Sequence, residues 1–305
     1  TLPTASGSLP LKAPFPYFGG KARIAPAVWE RFGDVPNYVE PFAGSLAVLL
    51  ARPSVPGTET VNDLDAWLTN FWRAVRAEPE AVAGWADWPV SELDLHARGD
   101  WLFYRPGAAG FVERMRADPD YYCVKTAGWW VWGACSWIGT GWGPRAGRGV
   151  HRQLPHVGDA GQGLTDYLHA LAARLRRVRV VCGDWSRVTG PSVTTRHGTT
   201  AVLLDPPYGD GKMEYAAGGN RSGVHLGVRD WAVANGDDPA LRIALCGYDG
   251  LFDMPASWEC VAWKNRGGYG SQGDGEGRAN ASRERVWFSP HCLKPDAPDL
   301  FAGVS

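Results

Sequence analysis

The stretch TAVLLDPPYGDG, residues 200–211, decides how the sequence is interpreted. Four apolar residues in a row, at 201–204, are typical of a strand that is covered on both faces, as in a parallel sheet. Asp205 then falls at the carboxyl end of that strand, where open α/β sheets bind their ligands. The sequence therefore predicts an α/β protein with a site beside Asp205.

Seven strand-like runs, each closed by a turn or a polar residue, extend this prediction to the whole chain. They cover residues 38–42, 60–64, 178–184, 201–207, 242–249, 258–263 and 285–290. Helix-like segments, which predict βαβ units and a parallel sheet, lie at 45–51, 66–76 and 165–177. The last two runs have no clear helix between them, so we expect an antiparallel pair joined by a glycine-rich loop at 265–282.

Composition limits the classes of protein that the chain can represent. Its 305 residues, 45% of them hydrophobic, suit one large soluble α/β domain with an insertion. The formal net charge of −1 gives no global attraction to nucleic acid, so such a partner has to be met by a local patch. The polar, proline-interrupted residues 1–14 lack the features of an export signal, which predicts a loose tail on a cytoplasmic protein without membrane contact. The six cysteines form no CxxC pair, so no structural zinc site is expected.

Residues 85–164 interrupt the regular alternation with tryptophans, glycines and arginines. The simplest interpretation of the tryptophans is that they form the core of a subdomain. A glycine-rich stretch in this region carries four basic residues and no acidic residue before Asp159, a composition typical of segments that contact phosphates and base edges. These candidate DNA-binding residues are Arg145, Arg148, His151 and Arg152.

Three other strand ends carry candidate cofactor-binding residues. Phe42, Ala43 and Gly44 follow the first run and precede a helix, a geometry in which the backbone comes close to a nucleotide-like cofactor. About twenty residues later Asp63 ends the next strand, where an acidic side chain can accept hydrogen bonds from ribose hydroxyls. Asp184 ends the third strand and supplies a further acceptor at the same edge.

The segment DPPY at 205–208 suits chemistry on an exocyclic amine of a base. Such an amine is a poor nucleophile because its lone pair is delocalised into the ring, but the Asp205 carboxylate and the Pro206 carbonyl could hold its two hydrogens in the attacking geometry. Pro206 and Pro207 stiffen this segment. Tyr208 offers a face for a base that has been flipped out of the duplex.

Five motifs, taken in order, resemble the Dam-type (D12 class) DNA adenine-N6 methyltransferases, which use S-adenosylmethionine. They are YFGGK (17–21), EPFAGS (40–45), NDLD (62–65), CGDW (182–185) and DPPYGD (205–210). The resemblance implies a Rossmann-like, seven-stranded methyltransferase sheet with an inserted target-recognition domain. The catalytic domain would comprise 15–84 and 178–305, and the recognition region would comprise 85–177.

The resemblance also implies roles for individual residues. Tyr17, Gly20 and Lys21 would hold the methionine end of the cofactor. Phe42, Ala43 and Gly44 would form the cofactor-binding loop. Asp63 would bind the ribose of the cofactor and Asp184 its adenine. Asp205 would lie close to the sulfonium, and the flipped adenine would be held by Asp205, Pro206, Pro207 and Tyr208. The implied partner is double-stranded DNA, and no metal is needed because the sulfonium already makes the methyl group electrophilic.

Leu46 is a departure from the family, which usually carries a second glycine at that position, so the cofactor loop could differ in shape. The recognition region also diverges, so no target sequence is carried over. Cytosine-N4 methylation uses the same amine chemistry and stays open, as does an inactive relative that binds DNA or cofactor. Cytosine-C5 methylation is excluded because it needs a cysteine after a proline, and the chain has no Pro-Cys pair. The sequence leaves open a monomer or a weak dimer, and a role in restriction-modification, a phage or regulation.

Overall fold

The structure, a computed structural model, describes residues 11–17, 20–54, 57–137, 142–143, 163–207, 223–263 and 283–295. Its centre is a seven-stranded sheet with the order β3-β2-β1-β4-β5-β7-β6. The strands are β1 (Asn37–Glu40), β2 (Thr58–Asp63), β3 (Val178–Cys182), β4 (Thr200–Leu204), β5 (Leu241–Tyr248), β6 (Glu259–Ala262) and β7 (Glu284–Phe288). Each of the seven predicted runs therefore contains a strand or overlaps one, which confirms the predicted α/β fold class.

The direction of the strands follows the sequence pattern as well. Within the group β1 to β5, each strand is parallel to the strands next to it. Strand β7 runs antiparallel to both β5 and β6. The predicted antiparallel closing pair is confirmed. A mostly parallel sheet of this kind binds ligands at the carboxyl ends of its strands, and that edge lies beside the predicted site.

Nine helices are found in the described part of the chain. They are α1 (Ala25–Phe32), α2 (Ala47–Leu50), α3 (Ala66–Ala77), α4 (Pro79–Ala86), α5 (Glu92–Phe103), α6 (Ala108–Ala117), α7 (Val124–Ser136), α8 (Leu164–Leu175) and α9 (Val224–Asn235). The predicted helices at 45–51, 66–76 and 165–177 correspond to α2, α3 and α8. None of the nine is long and apolar enough to cross a membrane.

The hydrophobic core has two layers because β4 is covered on both faces. Ala201 and Leu203 face a large cluster that includes residues of α1, α2, α3, α7 and α8, whereas Val202 and Leu204 face a smaller cluster that includes residues of α9. Alternate residues of one apolar run thus enter different layers, as expected for a strand in the middle of a parallel sheet.

Helices α7 and α8 pack directly against the sheet and the helices beside it. Helix α7 packs on α3 and α4, and Trp130 of α7 lies 5.0 Å from Phe15, measured between ring centroids. Helix α8 reaches β2 through Arg174, whose guanidinium donates to both carboxylate oxygens of buried Glu59 at 2.6 and 2.8 Å. Of the predicted tail, residues 11–14 are described, and the carbonyl of Lys12 accepts a hydrogen bond from Tyr167 of α8 at 2.6 Å. The division into a tail, a catalytic domain and a recognition domain stays a prediction.

Candidate active site

Four neighbouring parallel strands bring the predicted site residues to one edge of the sheet. In the order β3-β2-β1-β4, their carboxyl ends carry Asp184, Asp63, the turn at 42–44 and Asp205. The chain leaves β1 in one direction along the sheet and β4 in the other, so the β1–β4 boundary is a topological switch point. The sequence prediction that these residues share one edge is therefore confirmed, although their roles in binding are not thereby tested.

The turn after β1 is held by contacts that require a glycine. Gly44 has a φ of +46°, and a Cβ atom at this position would lie 2.7 and 2.9 Å from two ring carbons of Tyr17. The amide of Gly44 donates to Asp63 at 3.1 Å, while the other carboxylate oxygen of Asp63 accepts from the amide of Asp65 at 3.0 Å. Residues from YFGGK, EPFAGS and NDLD thus form one contact group, which the resemblance assigns to the cofactor.

Leu46 takes the conformation that glycine favours. Its φ of 58° and ψ of 25° are left-handed, and Leu46 is the one residue other than glycine with a positive φ among the described residues. The side chain is fully buried in the large core cluster, directly before α2. The loop therefore keeps a left-handed backbone at the position of the family's second glycine, although the residue itself differs.

The side chain of Asn62, in β2, connects the residues that follow β1 and β3. Its side-chain amide donates to the carbonyl of Pro41 at 2.9 Å and to that of Gly183 at 3.0 Å. The amide of Gly183 in turn donates to the carbonyl of Asp63 at 3.1 Å. These bonds fix the spacing between the turn and the exposed Asp184. The sequence analysis did not identify Asn62, although the residue lies within the NDLD motif.

An aromatic pair lies beside Asp184. The rings of Phe42 and Trp185 are nearly parallel, with an interplanar angle of 28° and a centroid distance of 6.4 Å, and both are partly exposed. One oxygen of Asp184 accepts from the amide and the hydroxyl of Ser186. Trp185 was also missed from the sequence, yet its place directly after the aspartate in CGDW could have indicated it.

Asp205 forms a largely buried ion pair with Lys21. Their Nζ and Oδ1 atoms are 2.9 Å apart, and the side chains are 5% and 20% exposed. Burial by itself lowers the pKa of the Lys21 ammonium, but the Asp205 carboxylate, with smaller contributions from Cys246 and Glu284, raises that pKa above its ordinary value. Lys21 is therefore charged at neutral pH and favours the ionised form of Asp205. The resemblance assigned Lys21 to the methionine end of the cofactor; the structure pairs it with the catalytic motif.

Glu40, at the end of β1, carries little negative charge at neutral pH because its pKa is raised. The pKa of Glu40 is raised to about 8, mainly by burial; hydrogen bonds from Tyr38 and Leu49 lower it, and the charges of Asp205 and Glu59 contribute to the rise. The hydroxyl of Tyr38 donates to Glu40 at 3.0 Å. Because Glu40 is then mostly protonated at pH 7, it adds little negative charge beside the ion pair of Lys21 and Asp205.

Several predicted residues lie outside the described residues. They are Tyr208 of the DPPY motif and the four candidate DNA-binding residues Arg145, Arg148, His151 and Arg152. Pro206 and Pro207 are described and follow Asp205 directly. A search of the described residues found no group of three or more His, Cys, Asp or Glu side chains that could hold a metal ion.

Comparison with known families finds a similarity in the first part of the chain. Residues 17–88 match the sequence profile of the D12 class N6 adenine-specific DNA methyltransferases. This part of the chain, about a quarter of its 305 residues, is therefore similar to the D12 class. The matched range holds Tyr17, Lys21, the turn at 42–44 and Asp63, and it ends before Asp184 and Asp205. No match was found among curated proteins. Members of this family act on the N6 amine of adenine in DNA, which is the activity that the motifs predict.

Proposed function

We propose that this chain is a D12 class methyltransferase that binds S-adenosylmethionine along the carboxyl ends of β3, β2, β1 and β4, and methylates an adenine held against Asp205. The observation that carries the proposal is the buried ion pair between Lys21 and Asp205 at the β1–β4 switch point. It presents a charged acceptor in the crevice where open α/β sheets bind their ligands.

The residues along this edge fit the chemical groups of the cofactor. An adenine ring needs a flat apolar neighbour and an acceptor for its amine, and the partly exposed Phe42–Trp185 pair lies beside the exposed Asp184. Asp63 lies one strand further along and supplies carboxylate oxygens beside the Gly44 amide. The ring of Tyr17 packs on Gly44, and the carbonyl of Tyr17 accepts from the amide of Gly20, the residue before Lys21. When bound, the cofactor supplies a methyl group that its sulfonium makes electrophilic.

Asp205 is proposed to orient the target amine. An ionised carboxylate accepts a hydrogen bond from the N6 amine, and the adjacent Pro206 carbonyl accepts a second one, which directs the nitrogen lone pair out of the ring plane. Lys21 keeps Asp205 ionised and holds one of its oxygens, leaving the carboxylate fixed in position. Transfer is direct, without a covalent enzyme intermediate. Burial raises the pKa of Cys246, the cysteine beside this ion pair, well above its ordinary value, so that its thiol is not poised as a nucleophile.

The rest of the proposed machinery binds double-stranded DNA. Tyr208 is proposed to stack on the flipped adenine, and the recognition region is proposed to span 85–177. Within that region the basic residues at 145, 148, 151 and 152 are proposed to contact phosphates or base edges, because the sequence places no acidic residue among them. Adenine-N6 transfer is favoured over cytosine-N4 transfer by the family match.

The test of this proposal is the variant Asp205→Ala. Loss of an acceptor that acts mainly in the transition state lowers turnover by about 10² to 10³, or about 3 to 4 kcal/mol. The measurement is transfer of a labelled methyl group from S-adenosylmethionine to DNA, with binding of DNA measured in parallel and expected to survive.

Asp34→Ala is the matched control, because this aspartate is exposed and lies between α1 and β1, at the amino end of the strand and so at the opposite edge of the sheet. It should retain wild-type turnover. If Asp205→Ala transfers methyl groups as fast as the control, the segment 205–208 is only a strand end with a rigid turn, and the proposed catalytic role is wrong.

A further inference from the structure

Trp142 occupies a notch between two helices that only glycines leave open. A Cβ atom on Gly133 of α7 would lie 2.2 Å from Cζ2 and 2.4 Å from Cε2 of the Trp142 indole, and one on Gly99 of α5 would lie 3.2 Å from its Cη2. Real Cβ atoms essentially never approach a neighbour within 3.0 Å. We call this place, formed by Gly99 and Gly133, the glycine notch.

Among the described residues, aromatic packing holds the indole in the glycine notch. The rings of Phe103 and Trp137 lie 5.5 and 5.8 Å from that of Trp142, measured between centroids. The indole nitrogen of Trp142 is buried and has no hydrogen-bond partner among the described residues. The position of Trp142 therefore depends on the shape of the notch, since no hydrogen bond to this nitrogen sets it.

The glycine notch lies directly before the segment that carries the candidate DNA-binding residues. Trp142 and Gly143 precede residues 144–162, which hold the four basic side chains, and α8 begins at Leu164 just after that segment. The two ends of this segment are thus attached to α5 and α7 on one side and to α8 on the other.

Both attachment points also contact the stretch 12–17, which leads into the cofactor turn. From α7, the thiol of Cys135 donates to the carbonyl of Pro14 at 3.4 Å; from α8, the hydroxyl of Tyr167 donates to the carbonyl of Lys12 at 2.6 Å. The stretch ends at Tyr17, whose ring packs on Gly44. A displaced α7 end would consequently change the relation between the DNA-binding residues and the cofactor turn.

We propose that Trp142 is a positioning residue for DNA recognition: seated in the glycine notch, it fixes the point from which the chain continues into the basic segment 144–162. This inference rests on the proposed function, in which that segment contacts DNA. Trp142 itself touches neither cofactor nor base in this proposal. Its role is to hold Gly143, the last described residue before that segment, in one position, which lowers the conformational entropy lost on binding.

The first test removes the indole. Trp142→Ala should raise the Kd and the KM for DNA about tenfold or more, the size expected when several long side chains must be ordered on binding. The Kd for S-adenosylmethionine and the turnover at saturating DNA should stay close to wild type. The slope of DNA affinity against salt should also be unchanged, because the substitution removes no charge. Trp142→Phe keeps an aromatic ring and should bind DNA more like wild type than like Trp142→Ala.

The second test closes the notch and leaves Trp142 in place. Gly133→Ala should weaken DNA binding as Trp142→Ala does, because its Cβ displaces the indole. The double variant Gly133→Ala with Trp142→Phe should recover part of this loss, since the shorter phenyl ring leaves room for the added methyl group. Non-additivity of this kind identifies a direct contact between the two positions.

Gly128→Ala is the matched control on the same helix. A Cβ at Gly128 would lie 2.3 Å from the Cβ of Trp85, which is as severe a clash, but it disturbs the packing of α7 on α4 and does not involve the glycine notch. Measured at a temperature where each variant is folded, Gly128→Ala should lose stability yet retain its Kd for DNA. Equal loss of DNA affinity in Gly128→Ala and Gly133→Ala would overturn the inference, because any disturbance of α7 would then suffice.

The failure of the inference can be distinguished from failure of the proposed function by changing Arg145, Arg148 and Arg152 to Ala. These substitutions should flatten the salt dependence of DNA binding. If they leave it unchanged, the proposed DNA contact is wrong, whatever the notch variants show. If they flatten it while Trp142→Ala and Gly133→Ala bind DNA like wild type, the positioning role of Trp142 alone is overturned.

Discussion

Leu46 combines a left-handed backbone with a completely buried side chain. The conformation costs a residue with a side chain about 1–2 kcal/mol, whereas glycine adopts it freely. The buried leucine offsets this cost, because burial of such a side chain stabilises a fold by about 1.5–3 kcal/mol. The turn beside the proposed cofactor site thus keeps a glycine-like backbone through packing of α2 on the core.

This balance predicts an unusual order of stabilities. Leu46→Ala and Leu46→Gly both lose the buried side chain and should destabilise the protein by about 2–5 kcal/mol. The alanine variant keeps the left-handed strain and the glycine variant releases it, so Leu46→Gly should be the more stable of the two by about 0.5–1 kcal/mol. Urea unfolding measures the difference.

Leu49 provides the control for this comparison, since it is also fully buried but lies within the right-handed helix α2, which follows Leu46. There the ordinary order should hold, with Leu49→Ala more stable than Leu49→Gly by about 1 kcal/mol. The same order at both positions would show that the backbone of Leu46 is not strained in solution.

Single residues of the site differ in how far the sequence could predict them. Asp63, Asp184 and Asp205 could be found because each directly follows or ends an apolar run, and the ends of parallel strands share one edge. The ion pair of Lys21 with Asp205 could not, because it joins positions far apart in the chain and depends on how α1 is placed against the sheet. At Leu46 the residue differs from the glycine that the motif predicts, yet the backbone has the left-handed conformation that glycine favours.

At the scale of secondary-structure elements, the strands follow from the sequence more closely than the helices do. The strands are short apolar runs bounded by polar or turn residues, and this pattern survives in each of the seven. Helices α4 to α7 were not predicted, because tryptophans and glycines obscure the usual apolar stripe. In α7 most of the helix is buried, so it has no polar face to mark its period.

One buried ion cluster connects three of these elements. Glu59 of β2 is fully buried and accepts from Arg52, which follows α2, at 3.3 Å, and from Arg174 of α8 at 2.6 and 2.8 Å. Arg174 also donates to the carbonyl of Leu49 in α2 at 3.0 Å. Helix α8, which lies in the predicted recognition region, is therefore tied to the sheet by this cluster.

Glu59→Gln should consequently destabilise the protein by about 3–5 kcal/mol, because it leaves two largely buried guanidinium groups without a balancing charge. Urea unfolding of the whole chain measures the loss. Glu80→Gln on the exposed side of α4 is the control and should change stability by less than about 0.5 kcal/mol. A similarly small effect of Glu59→Gln would mean that the cluster does not hold α8 on the sheet.

At the scale of the whole molecule, the proposed cofactor and catalytic residues share one edge of the sheet, and the stretch 12–17 connects that edge to the helix of the glycine notch. The proposed cofactor residues lie after β1, β2 and β3, the proposed catalytic segment lies after β4, and the glycine notch lies at the end of α7. The stretch 12–17 contacts the helices on one side and the cofactor turn on the other. Methyl transfer to DNA requires these parts to act together on one flipped base.

The most direct measurement is nucleoside analysis after methyl transfer. The full chain is incubated with methyl-labelled S-adenosylmethionine and unmodified double-stranded DNA, which is then digested to nucleosides and separated. The label should appear in N6-methyldeoxyadenosine, and Asp205→Ala should lose it in proportion to its lower turnover. Label in N4-methyldeoxycytidine, or no label in DNA from a wild-type protein that is folded and binds the cofactor, would contradict adenine-N6 methyl transfer by this chain.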